Sequence, residues 1–171
     1  MEARRIVCIG LAMATLLASP ATAQTPTRPS DSAAALLQRM IGSWRIETLP
    51  VAGGDRAVTG TRTFTAGIDS LNVRWDEVLR GGVYAEGYLG FDPASDRFHL
   101  VGLGTDPTAR LTVLTGTLGE GGTTIHWSPA LPDALTASGD PNAVASRMVV
   151  REGSILWMAA DESWAFELVR Q

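Results

Sequence analysis

The chain has 171 residues, a formal charge of −4, 45% hydrophobic and 19% charged residues, which suits one globular domain and excludes disorder. All 14 basic residues are arginines and, apart from the pair Arg4-Arg5, they are scattered singly, so the sequence offers no basic run of the kind that attracts a nucleic-acid backbone. The single cysteine, Cys8, excludes a disulfide within the chain.

Residues 1–23 read as an export signal peptide. Arg4 and Arg5 give a positive start, Ile6 to Ala18 an apolar core, and Ala21-Thr22-Ala23 a small-residue cleavage site before Gln24. The apolar run falls short of the ~20 residues that span a membrane, and no later stretch is longer. Cys8 lies at the front of that run, where a lipid-anchored cysteine would follow it, so no lipid anchor is expected. The expected location is periplasmic or secreted.

Residues 24–30, with Pro26 and Pro29, read as a flexible leader, and residues 31–171 as one domain. Ser30 or Asp31 is placed to cap a short helix by accepting from an unpaired backbone N–H. Leu36, Leu37, Met40 and Ile41 recur at helical spacing, and Gly42 supplies the stop. From Trp44 the period becomes two. Trp44, Ile46 and Thr48 share one face.

In the stretch Ala57 to Ala66, the threonines 59, 61, 63 and 65 alternate with an inward set that includes Arg62 and Phe64. Leu71, Val73, Trp75, Glu77 and Leu79 then face one way. Further strands are expected at 83–91, 97–104, 110–118, 123–128, 143–151, 154–160 and 163–170, separated by turns such as Gly81-Gly82, Asp92-Pro93 and Asp106-Pro107. The sum is an all-β chain of about nine or ten short strands in an antiparallel meander. Closure into a barrel is favoured because it removes exposed edges. The stretch Pro129 to Asn142 is the one long loop, and it reads either as a lid or as a surface excursion.

The helix followed by Gly42-Ser43-Trp44 is similar to the opening of lipocalin-like (calycin) β-barrels. The run Gly82-Val83-Tyr84-Ala85-Glu86-Gly87-Tyr88-Leu89-Gly90-Phe91-Asp92 resembles a bacterial domain family of unknown function with that barrel. The resemblance implies a barrel around a cavity, with the helix as its cap, and brings no established activity. It also implies a basic side chain near the C-terminus over the first-strand tryptophan, which points to Arg170 over Trp44.

The candidate chemistry is confined to a few inward positions. Arg62 and Glu77 fall on adjacent strands and can anchor a polar head group or form a structural ion pair. Trp75 shares the Glu77 face. Tyr84, Glu86 and Tyr88 occupy one face of the family-like strand and Val83, Ala85, Leu89 and Phe91 the other; a one-residue slip exchanges them. His99 and His126 each lie opposite an apolar set, which points them outward, so neither haem nor another cofactor is expected. No H-E-x-x-H, G-x-S-x-G or carboxylate cluster suggests a metal or a nucleophile.

The sequence therefore points to an exported barrel that holds a small, largely apolar molecule. Two alternatives stand beside it: a cavity enzyme of isomerase or cyclase type using Glu77 or Glu86, and an interaction barrel with a filled core.

Overall fold

In the computed structural model, which describes residues 28–50, 55–106, 111–130 and 144–171, a short helix leads directly into the strands. The helix, α1, spans Pro29–Met40. The strands are β1 (Gly42–Thr48), β2 (Ala57–Ala66), β3 (Asn72–Leu79), β4 (Tyr84–Asp92), β5 (Arg97–Gly104), β6 (Leu111–Leu118), β7 (Thr124–Pro129), β8 (Ser146–Arg151), β9 (Ser154–Ala159) and β10 (Ala165–Arg170). Each pairs antiparallel with the next, and β10 returns to β1 to close the barrel. The result is an all-β closed meander of ten strands, compatible with a lipocalin-like fold.

Alternation builds the wall. In β3, Val73, Trp75 and Glu77 are buried while Arg74 and Val78 are exposed; β5 buries Phe98, Leu100 and Gly102 in the same rhythm. Period two puts successive side chains on opposite faces, so a closed sheet sorts them into core and solvent. The closing pair sets Trp44 opposite Arg170, Ile46 opposite Leu168 and Thr48 opposite Phe166.

On the outer face of this seam, Glu47 and Glu167 stand directly opposite each other. Like charges so placed repel, and arginines offset them. Arg56 reaches Glu167 at 2.8 Å and Glu47 at 3.5 Å, and Arg45 donates to Glu47 at 2.6 Å. The Arg45 hydrogen bond, joined by the charges of Arg45 and Arg56, holds the Glu47 carboxyl below its ordinary range.

One end of the barrel is sealed by α1, whose Ala33, Leu36, Leu37 and Met40 are wholly buried. Their spacing puts them on one face of the helix, lying against the ends of the strands. Pro29 opens the helix, and Arg28 precedes it without a side-chain cap. The cap expected from Ser30 or Asp31 is thus not made, and the helix begins two residues before Asp31. Proline suits the first helical position because its missing N–H would have had no partner there. Asp31 lies instead in the first turn.

The other helix end is closed by the barrel itself. The last carbonyls of a helix lack partners and carry its negative pole. Here Trp44 Nε1 donates to Met40 O at 2.7 Å, and Arg170 donates from Nη2 to Arg39 O at 2.7 Å and from Nη1 to Ile41 O at 3.3 Å. The Arg170 guanidinium lies 4.5 Å from the Trp44 ring centroid. Gly42, at φ +140°, makes the bend into β1, and a Cβ there would stand 3.0 Å from Arg170 Nη1. No helix among the described residues is long and apolar enough to cross a membrane.

Candidate functional site

Away from α1 the barrel opens into a cavity of about 420 Å³. Its walls come from the mouth ends of the strands: Ile46, Leu79, Ala85, Leu100 and Thr112, joined by Trp157, Trp164 and Phe166. Thr48, Thr59 and Asp106 also line it. The interior is otherwise carried by a run of aromatic contacts, from Phe91 through Phe98, Trp127 and Trp157 to Trp164 and Phe166. The rings of Trp164 and Phe166 stack 5.8 Å apart near the mouth.

Arg62 and Glu77 form the polar part of the cavity. The β2–β3 register sets them directly opposite each other. Arg62 Nε donates to Glu77 Oε2 at 2.7 Å, and Nη2 pairs with the same oxygen. Arg62 is 8% exposed and Glu77 9%. The guanidinium carbon lies 5.0 Å from the Trp75 ring centroid, 5.5 Å from that of Trp157 and 5.6 Å from that of Phe166. A buried guanidinium needs a counter-charge and polarisable neighbours, and this one has both.

Trp75 lies over two glycines, Gly87 of the adjacent β4 and Gly102 of β5 beyond it. A Cβ on Gly87 would stand 2.8 Å from Trp75 Cζ2, and one on Gly102 2.6 Å from the same atom. The glycine of the family-like strand thus makes room for the indole that flanks Arg62. Trp157 is fixed differently: its Nε1 donates to the buried Ser146 Oγ at 2.9 Å. The indole nitrogens of Trp75 and Trp127 are sealed without a hydrogen bond among the described residues.

Tyr84, Glu86 and Tyr88, named as cavity candidates, lie on the outside of the barrel. Tyr84 and Tyr88 are 40% and 57% exposed, and Glu86 accepts from Arg74 Nη2 at 2.8 Å across the outer face. The reason is packing: β4 turns Ala85, Gly87, Leu89 and Phe91 inward, and the Gly87 position under Trp75 has no space for a larger side chain. Glu86 and Tyr88 instead flank an external depression of about 340 Å³ with Arg74, Val101 and Leu103. Of the two carboxylates named for an enzymatic alternative, Glu77 alone faces the cavity. His99 and His126 are exposed on the outer wall, and the described residues hold no cluster of three or more His, Cys, Asp or Glu able to hold a metal.

Several cavity residues escaped the sequence reading. Thr59, assigned there to the water-facing set, enters the cavity through a bulge. Ile46 pairs with Gly60 and Glu47 with Val58, leaving Thr59 as the extra residue that exchanges the faces beyond it. Gly60 in mid-strand was the available signal. Trp157, Trp164 and Phe166 reach the cavity because β10 closes the barrel against β1, as the expected closure requires, and β9 pairs with β10 on its other side. The stretch Pro129 to Asn142, read as a lid or an excursion, falls at positions 131–142 outside the described residues. A scan against protein-family models finds no match to the sequence, and a search of curated proteins finds none either.

Proposed function

We propose that this chain is an exported barrel that holds a small, largely apolar molecule at its open end. The observation that carries the reading is the cavity of about 420 Å³, walled mainly by apolar and aromatic side chains around one buried ion pair. Sites for small molecules commonly have that composition, with a few placed polar groups setting orientation. The sealed helix end supports the same reading, since it leaves the mouth as the route of entry. The filled-barrel alternative sits poorly with an open cavity of this size. Export rests on the N-terminal signal pattern at residues 1–23, and the calycin-type resemblance agrees with a barrel that carries a ligand.

Native mass spectrometry of protein purified from its own host, followed by solvent extraction, tests the binding. A small organic molecule released in stoichiometric amount is expected. Protein of bare polypeptide mass that also fails to take up apolar probes such as naphthalene would overturn the reading. Export is checked by the intact mass of the secreted or periplasmic protein, expected to begin at Gln24.

A further inference from the structure

The ion pair in the cavity is closed on one side and open on the other. A guanidinium has five N–H donors in a planar fork. Glu77 Oε2 takes the edge formed by Nε and Nη2, and no hydrogen bond among the described residues reaches Nη1. Glu77 Oε1 has no such partner either. Neither atom belongs with the sealed, unpartnered ones, which among the described residues are the nitrogens of Trp75 and Trp127. Both residues are more than nine-tenths buried and both line the cavity, so a molecule in the cavity is the partner that Nη1 and Oε1 can still gain.

The charge of the ligand follows from this arrangement. The guanidinium and the carboxylate already balance each other, so an anionic head group would have to share Arg62 with Glu77 and leave net charge in an apolar space. A cationic head group meets the opposite difficulty: Arg62 already occupies the faces of Trp75, Trp157 and Phe166, and the other carboxylate of the lining, Asp106, is engaged in an interaction of its own. An uncharged acceptor has neither problem. A carbonyl oxygen can take the outer N–H groups of Nη1 and Nη2 without disturbing the pair, and those donors are the ones left unsatisfied.

We infer that the cavity selects an uncharged apolar molecule carrying a carbonyl oxygen, held by the outer edge of the Arg62 guanidinium. This rests on the binding reading above and adds the class of ligand.

The test uses tryptophan fluorescence, since Trp75, Trp157 and Trp164 line the cavity. The delipidated protein is titrated with decanone (the methyl ketone), decanoate, decylammonium and naphthalene. Decanone is expected to bind about tenfold or more tightly than either charged analogue, because each of those would leave a net charge in the apolar cavity. In Arg62→Lys, which keeps a cation beside Glu77 but loses the fork, decanone should weaken about tenfold while naphthalene, lacking an acceptor, holds its affinity. Decanoate or decylammonium matching decanone in the native protein would overturn the ligand class, and needs no variant to be seen. If naphthalene still binds in that case, the binding reading stands without this inference. An unchanged decanone affinity in a folded Arg62→Lys protein would overturn the role of Arg62. Failure of decanone and naphthalene alike would overturn both.

Discussion

Trp44 and Arg170 share one task, closing the carbonyl end of the helix against the barrel. Trp44 does so from the core, with its ring wholly buried and its nitrogen on Met40 O. Trp44→Ala removes that bond and leaves a large void, so a loss of ~3–5 kcal/mol is expected in urea unfolding. Arg170→Ala removes the contact over the ring and two donors at the surface end, so a smaller loss of ~0.5–2 kcal/mol is expected. Equal effects for the two would show that the ring is held by the guanidinium rather than by the core. The second residue-scale case is Arg62. Its removal by Arg62→Ala strands the buried Glu77 carboxylate and should cost ~3–5 kcal/mol, whereas the double change Arg62→Met/Glu77→Met should cost much less. A double variant as unstable as Arg62→Ala would mean that the rings around the guanidinium, and not the stranded charge, set the cost.

At the scale of elements, legibility depends on how local the deciding interaction is. The faces of β3 and β5 follow from alternation alone, because one set is plainly apolar. β4 is different: its two faces carry similar side chains, and the choice is made by Trp75, which needs Gly87 beneath it. That contact joins neighbouring strands and has no signature within β4. The bulge at Thr59 is likewise a property of the pairing with β1, and Gly60 hints at it without fixing the outcome. The β4–β5 turn, by contrast, is local. Ser95 Oγ and the Ala94 N–H donate to the Asp92 carboxylate, and these bonds, the Ser95 one foremost, depress its pKa. A depressed carboxyl stabilises the fold above its unfolded pKa, and the contribution is lost as pH falls through the folded value. Asp92→Ala should therefore lower Tm at neutral pH, and the gap to the native protein should close on acidification through the carboxyl range. A gap that does not change with pH would assign the effect to the backbone of the turn.

For the molecule as a whole, the barrel has two unequal ends, and its stability should divide accordingly. Around α1, Leu36, Leu37, Met40, Trp44, Val73, Leu89, Ile155 and Leu168 are wholly buried and packed on one another. At the mouth the strands bound a cavity, and Trp164, Ala165 and Phe166 are only partly buried. Strand ladders run through both regions, so backbone pairing does not distinguish them. Apolar burial does, and local opening is cheapest where few buried contacts are lost. Native-state hydrogen exchange should therefore show the amides of Val73, Ile155 and Leu168 exchanging at least ~tenfold more slowly than those of Leu79 and Ala165 at the other ends of the same or paired strands. A ligand filling the cavity binds the closed form alone, so it should slow the mouth amides first, and the helix end only as global stability rises. Uniform protection from end to end, unchanged by an occupant of the cavity, would show a barrel that opens only as one unit and a mouth with no flexibility to lend to binding.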